Sequence, residues 1–388
     1  MVPIRYNIRS LLVRRVTTAA TAFGIALVVF VFAAAGMLGE GVNRALASSG
    51  RTDTAIVLRK GSDAELSSTL NGEQLNILRG NSAVATSAPE QGVIGEVVLV
   101  ITSELANGSG TISNVLVRGM PPGGMKFRPE AVIVSGRAPN PGTNEVIVGR
   151  GINGRFKGIS VGQSFDLRRN RPLNVVGVFS TGGTSYESEV WGDVDAIRAA
   201  VGRQATVSSA RVRLTSASAF ESYRSAIEAD KRLNLKVMRE DEYFKKASEQ
   251  TAGFLAGMGF VIAVLFSFAA MIGAAITMNG AVANRTREIG TLRALGFSKI
   301  AILTSFVLEA IFLGIIGGAI GVVFVQILAL VSFPVMNFQT FSEIVISFRA
   351  TPSIIANALI FSIVMGLVGG LFPAIRASRV SPVEAMRG

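Results

Sequence analysis

Four apolar runs dominate the hydrophobic pattern of this chain. Each is long enough to cross a bilayer core of about 30 Å, which takes roughly 20 mainly apolar residues. They are TTAATAFGIALVVFVFAAAGMLG (17–39), AGFLAGMGFVIAVLFSFAAMIGAAITM (252–278), ILTSFVLEAIFLGIIGGAIGVVFVQILALVS (302–332) and SIIANALIFSIVMGLVGGLFPAI (353–375). Glu309, in the third, is the only ionisable residue inside them. The first run exceeds the apolar part of a cleaved signal, and Gly39-Glu40-Gly41 makes a poor cleavage site, so a retained span is expected. Ahead of it, Ile4, Ile8, Leu11 and Leu12 share one helical face. Residues 1–16 therefore read as an amphipathic helix on the inner leaflet, or as a plain basic flank.

Between the first two spans, over 40–251, the period changes. Strand-like runs occur at 52–60, 92–101, 112–120, 130–136, 144–151, 163–169 and 173–179, separated by turns such as MPPGGM and APNPGT. LNGEQLNILRG (70–80) reads as a short helix, and 209–240 as β-α-β. The expected fold class is a membrane protein of four transmembrane α-helices with a large α+β extracytoplasmic domain between the first and second spans. A helix beginning near Asp241 is expected to run straight into the second span. Residues 333–352 form a short extracytoplasmic loop.

Charge sets the orientation. The segments 1–16, 279–301 and 376–388 together carry eleven basic and two acidic residues, whereas 40–251 carries 26 basic and 22 acidic. Short basic loops stay in the cytoplasm. Both termini and 279–301 are expected inside a bacterial inner membrane, with 40–251 outside. The net charge of +12 follows from this topology and calls for no nucleic acid. Hydrophobic residues make up 49% of the chain and charged ones 16%, against about 25% charged in soluble domains.

The chain has no Cys and no His, which removes disulfides, thiolate metal sites and the commonest general base. GRGING (149–154) fits a dinucleotide fingerprint only as a string. Strand-like runs follow it instead of a helix, so it reads as a turn. No G-x-x-x-x-G-K-[ST] occurs, so any ATP must be bound by another chain. The acids Glu187, Glu189, Asp193 and Asp195 read as a solvated turn, and neither a metal nor a cofactor is expected on this chain.

Small residues recur four apart at Gly314/Gly318, Gly317/Gly321, Gly366/Gly370 and Gly253/Gly257, a spacing that lets helix backbones approach closely in lipid. Packing within the chain and dimerisation fit equally well. Glu309 lies about 10 Å inside the third span and is expected to pair with an inner-face Arg. NRTREIGTLRALGFSK (284–299) places Ile289, Leu292 and Leu295 on roughly one face and Arg285, Arg287, Arg293 and Lys299 around it. Such a helix suits docking in a cytoplasmic partner's groove or lying on lipid.

MNGAVANRTREIGTLRALGFSKIAILTSFVLEAIFLGIIGGAIG (278–321) resembles the core of the FtsX/MacB-type ABC permeases, the type VII or mechanotransmission class, whose R-T-R-E-I-G-x-L-R-A-L-G run is a coupling helix. GGLFPAIRASRVSPVEAMRG (369–388) resembles the family's C-terminal signature, with Met386 in place of the usual Leu. LVRGMPPGG, SGRAPNPGTNEVIVGRG, VGQSFDL and LNVVGVFSTGG are similar to the MacB periplasmic domain. The resemblance implies that Arg285, Arg287, Glu288, Ile289, Leu292, Arg293, Leu295 and Gly296 engage an ATPase. It implies two permeases, alike or paralogous, with two separate ATPases carrying ATP and Mg²⁺, and a possible periplasmic adaptor and outer-membrane channel. It divides the exterior segment into porter-like parts (40–120 and 206–250) and an inserted β-rich part (121–205). The implied function is export or extraction of an amphiphile, whether lipid, lipoprotein, peptide or drug. The competing reading is an ATPase-driven lever that controls a cell-wall hydrolase or senses antimicrobials.

Overall fold

The structure, a computed structural model, describes residues 13–85, 92–202 and 205–382. The amphipathic segment expected at 1–16 lies almost wholly outside the described residues, as does the end of the C-terminal signature from 383 on. The chain forms two compact units, one helical (residues up to 40, 254–331 and from 347 on) and one α/β (41–253 and 332–346).

Helix α1 (Arg15–Ala47) is the first long element of the described residues. The α/β unit follows, with β1 (Thr54–Arg59), β2 (Leu70–Asn71), α2 (Gly72–Arg79), β3 (Val93–Glu104), β4 (Ile112–Met120) and β5 (Val132–Gly136). Next come β6 (Glu145–Gly149), β7 (Ser164–Arg168), β8 (Arg171–Ser180), β9 (Glu189–Asp193) and α3 (Val194–Val201). It closes with β10 (Thr206–Val207), β11 (Ser209–Arg213), α4 (Phe220–Ala229) and β12 (Leu235–Arg239). Local chemistry sets the helix starts. Asn71 and Gln74 make a reciprocal capping box at α2, and Asp193 caps α3 through the N–H groups of Asp195 and Ala196.

One ten-stranded sheet runs β12-β1-β11-β3-β4-β9-β6-β8-β5, with β7 on β8. β3 exchanges partners along its length. Residues 93–96 pair with β11 and 97–104 with β4. β4 in turn pairs in parallel with β9, and one hydrophobic cluster joins Ala55, Val57 and Val212 to Val97, Val148 and Val190. The junctions expected at 120/121 and 205/206 lie at the end of β4 and just before β10, and one sheet and one hydrophobic cluster continue across the parts they delimit. Where the sheet changes partners is within β3. The loop expected at 333–352 is also corrected. It folds as the hairpin β13 (Ser332–Asn337) and β14 (Ser342–Ser347), part of the α/β unit, tied there by an Arg155–Glu343 ion pair and by Val345 N–H donating to Ser188 Oγ at 2.9 Å.

The α/β unit also buries an ionic network that the sequence reading did not anticipate. It consists of Glu65, Glu96, Glu189 and Glu240 with Arg118, Arg128 and Arg211, all buried. Arg118 forks onto both oxygens of Glu189 (2.7 and 2.8 Å) and also reaches Glu96 (2.9 Å) and Glu65 (3.1 Å). Arg128 grips both oxygens of Glu96 at 2.7 and 2.9 Å. Arg211 lies 3.1 Å from Glu240, 3.3 Å from Glu96 and 3.5 Å from Glu65. Burial alone would raise the Glu96 and Glu65 carboxyls, but the surrounding guanidiniums outweigh it and hold both below the ordinary range. At Glu240 burial prevails over Arg211, and its carboxyl is raised.

The four carboxylates outnumber the three guanidiniums, and Glu240 is the one whose charge costs most. Because its folded-state value lies above its unfolded value of about 4.3, ionising Glu240 destabilises the fold as pH rises through that window. Glu240→Gln is therefore expected to stabilise the α/β domain at pH 7, with the gain shrinking toward zero as pH falls to about 4.3. Glu65 and Glu96 have the opposite sign. Their contribution is present above about 4.3 and is lost below it. Denaturant midpoints across pH 4.5–7 check the difference between variant and parent, and a pH-independent difference would contradict the assignment.

The remaining helices are α5 (Glu240–Asn284), α6 (Thr286–Ala294), α7 (Lys299–Val325, then a 3₁₀ turn to Leu330) and α8 (Pro352–Ser378). α5 is uninterrupted over 45 residues, with three acids in its first turn where the helix dipole favours them. The helical segment expected over 279–301 is shorter than that. Residues up to Asn284 belong to α5, and α7 begins at Lys299, capped by Ser298 Oγ accepting from Ala301 N–H.

Candidate functional site

α6 is set apart at both ends. α5 breaks at Arg285 (φ −115°, ψ 13°), and α6 stops on Gly296, whose φ of +94° suits only glycine without strain. Phe297 N–H donates to the Leu292 carbonyl (3.1 Å) and Gly296 N–H to that of Arg293 (3.2 Å), a Schellman motif. Leu292 and Phe297 both pack on the helical core, which seals this end. Arg293 Nη1 donates to the Phe297 carbonyl at 3.0 Å, so it too holds the turn.

The apolar face expected to meet a partner is turned inward for most of its length. Ile289 is buried among Met278, Val282, Ile302 and Phe306, and Leu292 is half-buried beside it. Arg285 is buried as well. It pairs with Glu288 (3.1 Å) and with Glu309 (3.4 Å), so that Arg285 is the inner-face Arg expected for that carboxylate, while its guanidinium lies 5.6 Å from the Phe306 ring centre. These residues attach α6 to the bundle. What the segment exposes is Arg287, Glu288, Leu295 (73% exposed) and Ile300 (70%). Periodicity found the face. It carried no information on whether the chain itself or another molecule covers it.

The glycines resolve differently. A Cβ on Gly314 would sit 2.7 Å from the Ser362 carbonyl oxygen, and one on Gly318 would strike Ser362 Oγ, so this row packs on α8. Gly366 and Gly370 of α8 return the contact, against Ala310 and Gly314. Gly317 and Gly321 instead face α1, at Ile25 and Val29. All six serve helix packing within the chain. An added Cβ at Gly253 or Gly257 meets nothing within 4 Å.

In the α/β unit, GRGING is a turn whose Gly149 fits against the Glu187 carbonyl, where a Cβ would lie 2.2 Å away. The expected solvated acids are largely buried. Glu187 accepts from Thr181 N–H (2.8 Å) and Gly183 N–H (3.1 Å), Glu189 belongs to the ionic network, and Asp193 caps α3; only Asp195 is exposed. The missed network did leave a signal. Glu96 and Arg118 each interrupt an apolar run, VIGEVV (93–98) and VLVRGM (115–120), and a charge at a core position implies a buried partner.

Among the described residues, four helices are apolar and long enough to cross a membrane: α1, α5, α7 with its 3₁₀ extension, and α8. With the α/β domain between the first two in sequence, the architecture is that of a polytopic membrane protein. A model of the MacB-like periplasmic core domain matches residues 18–230, more than half of the chain, and a model of the FtsX-like permease C-terminal matches 260–382. The chain belongs to the FtsX/MacB-type ABC transporter permeases.

The ABC transporter permease YknZ of Bacillus subtilis is 27% identical over 235 residues, covering 56% of this chain and 54% of YknZ. The macrolide export ATP-binding/permease protein MacB of Escherichia coli is 29% identical over 227 residues, covering 56% of this chain and 34% of MacB. The chain thus matches only about a third to a half of these relatives' lengths. The extracellular domain of YknZ, a solved structure, aligns with a TM-score of 0.36 at 17% identity, covering 48% of this chain and 99% of that domain.

Proposed function

We propose that this chain is the membrane subunit through which a separate ABC ATPase drives extracytoplasmic movements that export or extract an amphiphile. The observation that carries this reading is α6 with the turn that follows it, anchored through Arg285, Ile289 and Leu292 and presenting Arg287 and Leu295 outward, with Ile300 beside them at the start of α7. A solvated connector has no use for two isoleucine- and leucine-sized side chains at about 70% exposure beside an Arg. A groove on a partner does. The basic charge of 279–301 supports a cytoplasmic position, with both termini on the same side and the α/β domain outside. ATP and Mg²⁺ then reside on the ATPase, two copies per two permeases.

Similarity to a macrolide export protein supports efflux over the regulatory lever. The packed spans support movement of substrate outside the bilayer, because Glu309 is tied to Arg285 and no second ionisable residue lies in those spans to form a polar path. A periplasmic adaptor and an outer-membrane channel belong to the same proposal.

The test is copurification of the ATPase from the native host in mild detergent. Leu295→Asp with Arg287→Glu is expected to cut ATPase recovery at least ~10-fold, which takes about 1.4 kcal/mol, while the chain stays monodisperse. Arg285→Ala should instead weaken the bundle. Undiminished recovery with the double variant would overturn the assignment of α6.

A further inference from the structure

We propose that the two Pro-Gly turns of the exterior domain form a binding site for a compact, neutral apolar group carried by an amphiphile. The turns 120–125 and 138–143 enclose a cleft of about 220 Å³, open to solvent on one side. Pro121, Pro139, Pro141 and Met125 line its walls, and Trp191 lies at its base.

The cleft is built in advance. Gly123 (φ +85°) and Gly142 (φ +72°) make the turns, and the prolines fix their own φ, so little backbone freedom is left for a ligand to freeze. Gly142 N–H donates to Asp193 Oδ2 at 3.0 Å, which ties the second turn to the cap of α3. Trp191 is held on every side. It stacks on Phe179 with ring centres 3.9 Å apart, meets the Tyr186 edge at 5.7 Å and donates its N–H to Glu189 at 2.7 Å.

Size and charge define the occupant. An apolar cavity of about 150 Å³ holds benzene, so 220 Å³ takes a ring with a small substituent or a short branched chain. The two charged residues at the cleft, Asp193 and Lys126, are opposite in sign. Asp193 already accepts from three N–H groups, and Lys126 is not free. Nothing there calls for an ion. The open side leaves the rest of the molecule in water, which makes an amphiphile the fitting class of ligand. This deepens the export reading by naming the group that the exterior domain takes, and it rests on that reading for its role in transport.

Trp191 is the only tryptophan of the chain, so its fluorescence reports this site alone. The full chain in lipid nanodiscs is titrated with bromobenzene, whose bromine quenches indole emission at short range when it is seated in the cleft in front of the buried Trp191. Saturable quenching is expected, with half-saturation shifted at least ~10-fold upward by Ala138→Phe, which fills the rim, and several-fold by Met125→Ala. Should Ala138→Phe fail to fold, Met125→Ala decides. Quenching that rises linearly without saturation, or that neither folded variant alters, overturns the proposal. No ATPase is present in this measurement, so its failure and the loss of ATPase copurification are separate results.

Discussion

Replacing Arg118 with methionine is expected to lower the stability of the exterior domain by about 3–5 kcal/mol. The arginine is 1% exposed and faces three carboxylates, Glu189, Glu96 and Glu65, at 2.7–3.1 Å. Methionine fills much of the volume but leaves four buried carboxylates with two guanidiniums. An unpaired buried charge costs far more than a lost surface pair. Loss of Trp191 stacking makes a fluorescence readout, and the denaturant midpoint should fall with the slope unchanged. A shift of under ~1 kcal/mol would show that the network is not electrostatically coupled.

The second large effect is in the helical unit. In Gly317→Val the new Cβ meets Ile25 Cβ at 2.7 Å and the Ala22 carbonyl oxygen at 2.8 Å, so α1 and α7 must separate. Overpacking of this kind costs about 1–3 kcal/mol, and here it acts along a seam that also includes Gly321. Gly273→Val is the control, because an added Cβ there meets nothing within 4 Å and should change stability by under ~0.5 kcal/mol. The measurement is the temperature at which each chain loses its monodisperse peak on size exclusion. Equal temperatures for the two variants would contradict the packing assignment.

How much of this was legible depends on the range of the interaction. The spans are written locally, because twenty apolar residues in a row have few soluble alternatives. Most exterior strands and α2 are local too, and Asn71 with Gln74 even marks the turn where α2 begins. The ionic network is not local. Arg118 finds its partners 22 to 71 positions away, and only the strand topology brings them together. For the same reason Glu187 and Glu189, in a Gly- and Ser-rich stretch, read as solvated when the fold buries them. The hairpin at 332–347 hides behind a short, weakly patterned sequence.

The candidate site divides along the same line. That Glu309 pairs with an inner-face Arg was legible because a carboxylate at that depth needs a cation within reach; that the cation is Arg285 was not. The covering of Ile289 was not, since the i, i+3 spacing that makes an apolar ridge is identical whether the ridge packs at home or abroad. Gly296 enters through the family resemblance, and its φ of +94° shows what a glycine does there within the chain, ending α6.

The start of α5 works as a key in the α/β unit, to which its residues 240–253 belong. Glu240 meets Arg211 at 3.1 Å, and one turn on the Tyr243 hydroxyl accepts from Glu65 N–H at 3.4 Å. A slip of one residue turns the helix by about 100° about its axis and takes both side chains off the network together. The ionic network therefore fixes the rotational setting of this helix end, which no apolar packing alone would specify so sharply.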